Sequence, residues 1–112
     1  MRLFSGQRAW VLQRVTALIL IAGVISGSAL LLLAGPITYA QWKNFFAGGH
    51  GATLTLVCFA AIALHGWIGA RDVILDYVQQ RILRFALLSL IAVFLVASTI
   101  RLGLVIAAQV SR

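Results

Sequence analysis

Three apolar runs leave this chain few ways to fold: Val15 to Gly35, Ala52 to Ala70, and Phe85 to about Val110, the last interrupted by Arg101. Each can cross a hydrocarbon layer of roughly 30 Å, which takes about 20 helical residues. Backbone immersed in lipid must satisfy its own amides and carbonyls, and an α-helix does so within one segment. The pattern predicts an all-α integral membrane fold with three transmembrane helices, over about 15–35, 52–76 and 84–108, in one domain covering 1–112. With 62% of its residues hydrophobic and 10% charged, the chain has little from which to build a separate soluble domain.

A net charge of +7 could point to nucleic acid, but the nine basic residues form no patch and are not interleaved with aromatics. They mark span ends instead. Arg2, Arg8 and Arg14 precede the first run, and Arg71, Arg81 and Arg84 surround the link between the second and third. The link from Pro36 to Gly51 carries only Lys43. By the positive-inside rule the amino terminus and the second link face the cytoplasm, and the carboxyl terminus faces the opposite side. Arg101 can reach that far interface by snorkelling. The first run is too long for the core of a signal peptide, and no small-residue cleavage site followed by a soluble domain is evident.

Pro36 ends the first helix. Beyond it Tyr39, Trp42, Phe45 and Phe46 recur at spacings of three to four, which predicts a short amphipathic helix between the first and second spans, with its rings at headgroup level and Gly48 and Gly49 closing it. Gly23 and Gly27 in the first span allow close helix approach. In the second span Leu54, Cys58, Ala61, His65 and Gly69 share one stripe, a mostly small-residue face that either seats a helix or leaves room for a flat ligand beside the histidine. The single cysteine, Cys58, excludes an internal disulfide and any multi-cysteine metal site; a small apolar filler is its plainest role.

The chemistry-bearing residues concentrate in one stretch. Both acidic residues of the chain, Asp72 and Asp76, follow His65, and on a helix His65, Gly69, Asp72 and Asp76 fall within one arc, spread over roughly 16 Å along the axis. A histidine in a membrane span is costly unless it gains a partner. It is open to three roles: axial haem ligand, member of a proton relay, or structural hydrogen bonder. A metal held by protein ligands alone is not supported, because His50 falls in the opposite link. Haem needs only one or two axial ligands, since the porphyrin supplies four nitrogens. Asp72 and Asp76 have Arg71, Arg81 and Arg84 near in sequence to balance them. Tyr77 beside Asp76 is either an interfacial anchor or a phenol able to donate to a carbonyl oxygen with a carboxylate to orient it.

Three motifs, in order, resemble a known family. They are Arg14-Val15-Thr16-Ala17 opening the first span, Thr38-Tyr39-x-x-Trp42-x-x-Phe45-Phe46 in the first link, and His65-x-Trp67-x-Gly69 followed by Asp76-Tyr77. Together they are similar to the smaller cytochrome b membrane-anchor subunit, the D subunit, of proteobacterial succinate dehydrogenase, respiratory complex II. Asp72 departs from that pattern, where a neutral polar residue is usual, and a salt bridge with a nearby arginine is its plainer role.

The resemblance implies that His65 is an axial ligand of the haem b iron, that Arg14 lies near a haem propionate, and that Tyr77, with Asp76 beside it, binds ubiquinone. It implies a second cytochrome b anchor subunit sharing the haem, and a flavoprotein with FAD and an iron–sulfur subunit on the cytoplasmic face of the bacterial inner membrane. With the amino terminus in the cytoplasm the carboxyl terminus is expected in the periplasm, and because few residues precede Arg14 a long amino-terminal arm onto the soluble subunits is expected to be absent or minimal. Succinate would be oxidised elsewhere, since this chain has no nucleotide-binding glycine motif and no cysteine cluster. A haem-free structural anchor, or a small proton-relay or transport subunit using His65, Asp72 and Asp76, are the alternatives from other classes.

Overall fold

The computed structural model describes residues 6–112 as helices joined by short links; Arg2, counted above among the amino-terminal basic residues, lies outside the described residues. Four helices follow in order: α1 Gln7–Ala34, α2 Tyr39–Ala47, α3 Gly49–Tyr77 and α4 Arg81–Val110. Three of them, α1, α3 and α4, are 28, 29 and 30 residues long and apolar enough to cross a membrane, as the sequence predicts. Each exceeds the roughly 20 residues that hydrocarbon requires. The surplus turns carry Arg8 and Arg14 at the start of α1, Arg71 near the end of α3, and Arg81 and Arg84 at the start of α4.

The breaks fall where the chemistry of single residues puts them. Gly35 closes α1 at φ +69°, a left-handed value open to glycine, and Pro36 next to it has no N–H with which to continue the helix. Thr38 then starts α2 through a reciprocal cap: its hydroxyl accepts from the Gln41 N–H at 3.3 Å, and the Gln41 side-chain oxygen accepts from the Thr38 N–H at 2.9 Å. Gly48 both ends α2 and begins α3, donating its N–H to Asn44 O at 2.9 Å and accepting from Ala52 N at 2.9 Å. At the other end, Arg84 donates from Nε to Val78 O at 3.0 Å and from Nη2 to Leu75 O at 3.2 Å, holding the last carbonyls of α3. A cation there complements the negative end of the helix dipole. Arg84 is thus used by the backbone, not by the two aspartates it was expected to balance.

α3 is the central helix. It runs antiparallel to α1 and α4 and packs against both, while α2 lies across the beginning of α3 and the end of α4. The α1–α3 seam is built from small residues: a Cβ at Gly23 would lie 3.1 Å from Cys58 Sγ, and one at Gly69 would lie 3.6 Å from Gln13 Nε2. Ala61 and Ile68 of α3 are 3% and 1% exposed. Within the small-residue stripe of α3, Cys58 and Gly69 thus seat α1. At the corner, Gly51 lies so close to the Phe45 backbone that a Cβ would overlap the Phe45 carbonyl.

Few apolar side chains are buried, whereas Leu32, Leu33, Phe85, Phe94 and many other large ones are exposed. Such a surface suits lipid or neighbouring transmembrane helices. Between helices in lipid there is little hydrophobic driving force, so the seam is held by close van der Waals contact and by hydrogen bonds.

Candidate functional site

α3 carries His65 in its apolar middle and Asp72, Asp76 and Tyr77 in its last two turns. His65 is partly buried, and its Nδ1 lies 3.2 Å from Oγ1 of Thr16 on α1, a residue 2% exposed. The Thr16 hydroxyl is also 2.8 Å from Leu12 O and 3.1 Å from Gln13 O of its own helix. No described residue hydrogen-bonds Nε2 of His65. The imidazole is therefore held on one nitrogen and open on the other. One turn toward the amino end of α1, Gln13 lies against Gly69, and its Oε1 is buried with no hydrogen-bond partner among the described residues.

The remaining rungs of the ladder are not joined to this pair. Asp72 accepts from Arg71 Nη2 at 2.7 Å and Nε at 3.0 Å, with its side chain 54% exposed. Asp76 has no ion pair or hydrogen bond among the described residues and is exposed, and Tyr77 beside it is 82% exposed. These two lie about 16 Å along the helix from His65. Arg14 is exposed as well, with its guanidinium carbon 5.3 Å from the centre of the Trp10 ring, a cation–π contact one turn apart. Helix rotation turns it about 160° from Thr16 around α1, while keeping it within about 3 Å of Thr16 along the axis.

Sequence reading names His65 but gives its contact no partner. Thr16 stands within the Arg14-Val15-Thr16-Ala17 motif, and its signal is that of a polar side chain entering an apolar run, where it needs a hydrogen bond. Its pairing across 49 positions of sequence is a property of the α1–α3 packing.

Three antiparallel apolar helices with a histidine held in the seam between two of them define a multi-pass helical membrane subunit. Residues 1–102 match the family of succinate dehydrogenase/fumarate reductase transmembrane subunits. The chain is also 35% identical over 91 residues to a succinate dehydrogenase hydrophobic membrane anchor subunit of Coxiella burnetii, an alignment covering 81% of this chain and 79% of that relative. This chain belongs to the succinate dehydrogenase/fumarate reductase transmembrane-subunit family. It is a membrane anchor subunit of succinate dehydrogenase and so works in association with the other subunits of that complex.

Proposed function

We propose that this anchor contributes one axial ligand, His65, to a haem b shared with a second cytochrome b anchor subunit, and part of a ubiquinone site through Tyr77 and Asp76. The observation that carries the reading is the imidazole itself: partly buried in an apolar seam, held at Nδ1 by the buried Thr16, with Nε2 unpartnered among the described residues. A histidine that ligates a metal characteristically gives its other ring nitrogen to a hydrogen-bond partner in this way. Among the described residues no three His, Cys, Asp or Glu side chains come together. A single imidazole fits haem, whose porphyrin supplies four nitrogen donors of its own.

When bound, haem supplies one-electron redox chemistry. The chain's own contribution is placement. His65 would hold the iron, a role shared with a ligand from the partner anchor. Arg14, at the same level of α1 as Thr16, supplies a cation for a propionate, and its exposed guanidinium is able to make charge-assisted hydrogen bonds there. Tyr77 donates its hydroxyl hydrogen to a ubiquinone carbonyl oxygen, and Asp76 orients that phenol or passes a proton toward the reduced oxygen. Both side chains are exposed at the end of α3, as groups completing a pocket with neighbouring subunits would be.

Succinate oxidation falls to the flavoprotein with its FAD, and electron delivery to the iron–sulfur subunit, both docked on the cytoplasmic face. By the positive-inside rule, the basic residues around the α3–α4 link support a reading with the amino terminus on that face and the carboxyl terminus in the periplasm of a bacterial inner membrane. The test is the spectrum of the purified complex: a reduced b-type haem is expected, and His65→Ala should remove it or change its axial-ligand signature. An unchanged signature in that variant overturns the ligand assignment.

A further inference from the structure

We propose that Thr16 is a positioning residue for the haem ligand: its hydroxyl fixes His65 as the Nδ1–H tautomer and so leaves the Nε2 lone pair for iron. This rests on the haem reading above and adds a residue to it.

Thr16 has one hydroxyl hydrogen and three polar neighbours, Leu12 O at 2.8 Å, Gln13 O at 3.1 Å and His65 Nδ1 at 3.2 Å. Two oxygens settle 2.8 Å apart only with a hydrogen between them, and a backbone carbonyl has none to give. The hydroxyl hydrogen is therefore committed to the carbonyls of its own helix, the back-bond that threonine makes inside helices. Toward His65 the oxygen then presents only lone pairs, so the 3.2 Å contact is attractive only when Nδ1 carries the hydrogen. A neutral imidazole has one N–H, and Nε2 is left as the acceptor atom. The reverse arrangement, with Thr16 donating to Nδ1, would set two oxygens against each other and place the hydrogen on the nitrogen that must bind metal.

The hydroxyl is well placed to impose this choice. Thr16 is 2% exposed, so no water competes for its lone pairs, and its branched side chain is restricted at χ1. Hydrogen bonding at Nδ1–H also raises the basicity of the opposite nitrogen and orients the ring. A more basic ligand favours ferric over ferrous iron, which lowers the haem potential.

The experiment uses the purified membrane complex carrying Thr16→Val, which keeps the shape and removes the hydroxyl, and Thr16→Ser, which keeps the hydroxyl. The readouts are the haem midpoint potential by redox titration and the low-spin ferric electron paramagnetic resonance signature. Thr16→Val should shift the potential upward and change the signature, while Thr16→Ser should retain both wild-type values. Should Thr16→Val not assemble, Thr16→Ala against Thr16→Ser is read in the same way. Wild-type values in the hydroxyl-free variant, or equal shifts in the serine and hydroxyl-free variants, overturn the proposal. If His65→Ala loses the signature while Thr16→Val does not, the ligand reading survives and this inference alone fails. A wild-type complex without haem overturns both.

Discussion

Asp72 and Asp76 are one helical turn apart on α3, yet they stand in different chemical situations. Asp72 is committed to Arg71 at 2.7 Å, whereas Asp76 has no hydrogen-bond or ion-pair partner among the described residues and is followed in sequence by Tyr77. An exposed ion pair of this kind contributes at most about 1 kcal/mol. Asp72→Asn is therefore expected to leave quinone reduction by the complex within about twofold of wild type, well under the tenfold that about 1.4 kcal/mol represents. Tyr77→Phe should lower quinone reduction by tenfold or more, on the scale of a lost positioned proton donor, while succinate oxidation with an artificial acceptor survives. Equal loss of both activities would mean an assembly defect instead. The sequence identifies Asp72 as an outlier and suggests its salt bridge, because the nearest cation is the adjacent residue. It does not reveal that Thr16 meets His65, because that meeting depends on how two helices rotate and slide against each other.

At the scale of the elements, the breaks are the most legible part of the chain. Gly35-Pro36 and Gly48-Gly49 stop and start helices by local backbone chemistry, and the aromatic spacing of α2 is helical before any packing is considered. The role of Arg84 is less legible: its partners, Leu75 O and Val78 O, are backbone atoms and carry no residue-specific signal. Two glycines separate local from tertiary causes. A methyl at Gly23 faces the Cys58 sulfur at 3.1 Å, a contact that a small side-chain shift relieves; a methyl at Gly51 meets the Phe45 carbonyl, which cannot yield without moving α2. Overpacking costs typically about 1–3 kcal/mol. Gly51→Ala should therefore lower the thermal stability of the complex more than Gly23→Ala does. Cys58→Ala should offset the Gly23→Ala loss, and Phe45→Ala should not offset that of Gly51→Ala. Melting of the detergent-solubilised complex checks all four, and equal effects at the two glycines would contradict the geometry.

For the whole molecule, the number of spans and the all-α architecture follow from apolar length alone, whereas the outer faces of the bundle are finished by neighbours that this sequence does not encode. The exposed leucines and phenylalanines of α1 and α4 are the visible sign of that. Sidedness is testable directly. In a Cys58→Ser background, a cysteine at Lys43 should react with a membrane-impermeant thiol reagent only from the periplasmic side, and one at Gln80 only from the cytoplasmic side. The opposite pattern would invert the assignment of the termini and put Asp76 and Tyr77 on the face opposite the proposed electron donor.

The corner at Gly48 has a consequence for the distant histidine. With Gly48 alone between α2 and α3, the aromatic shelf and the long helix turn as one piece, and Gly51 locks them by backbone contact. His65 lies about 25 Å up the axis of α3 from that corner. If the rings of α2 rest at the membrane surface, α2 serves as a depth stop. The level of the imidazole in the bilayer is then measured from the α2 side of the membrane, and lipid of a different thickness would displace the Tyr77 end of α3 before it displaced the histidine.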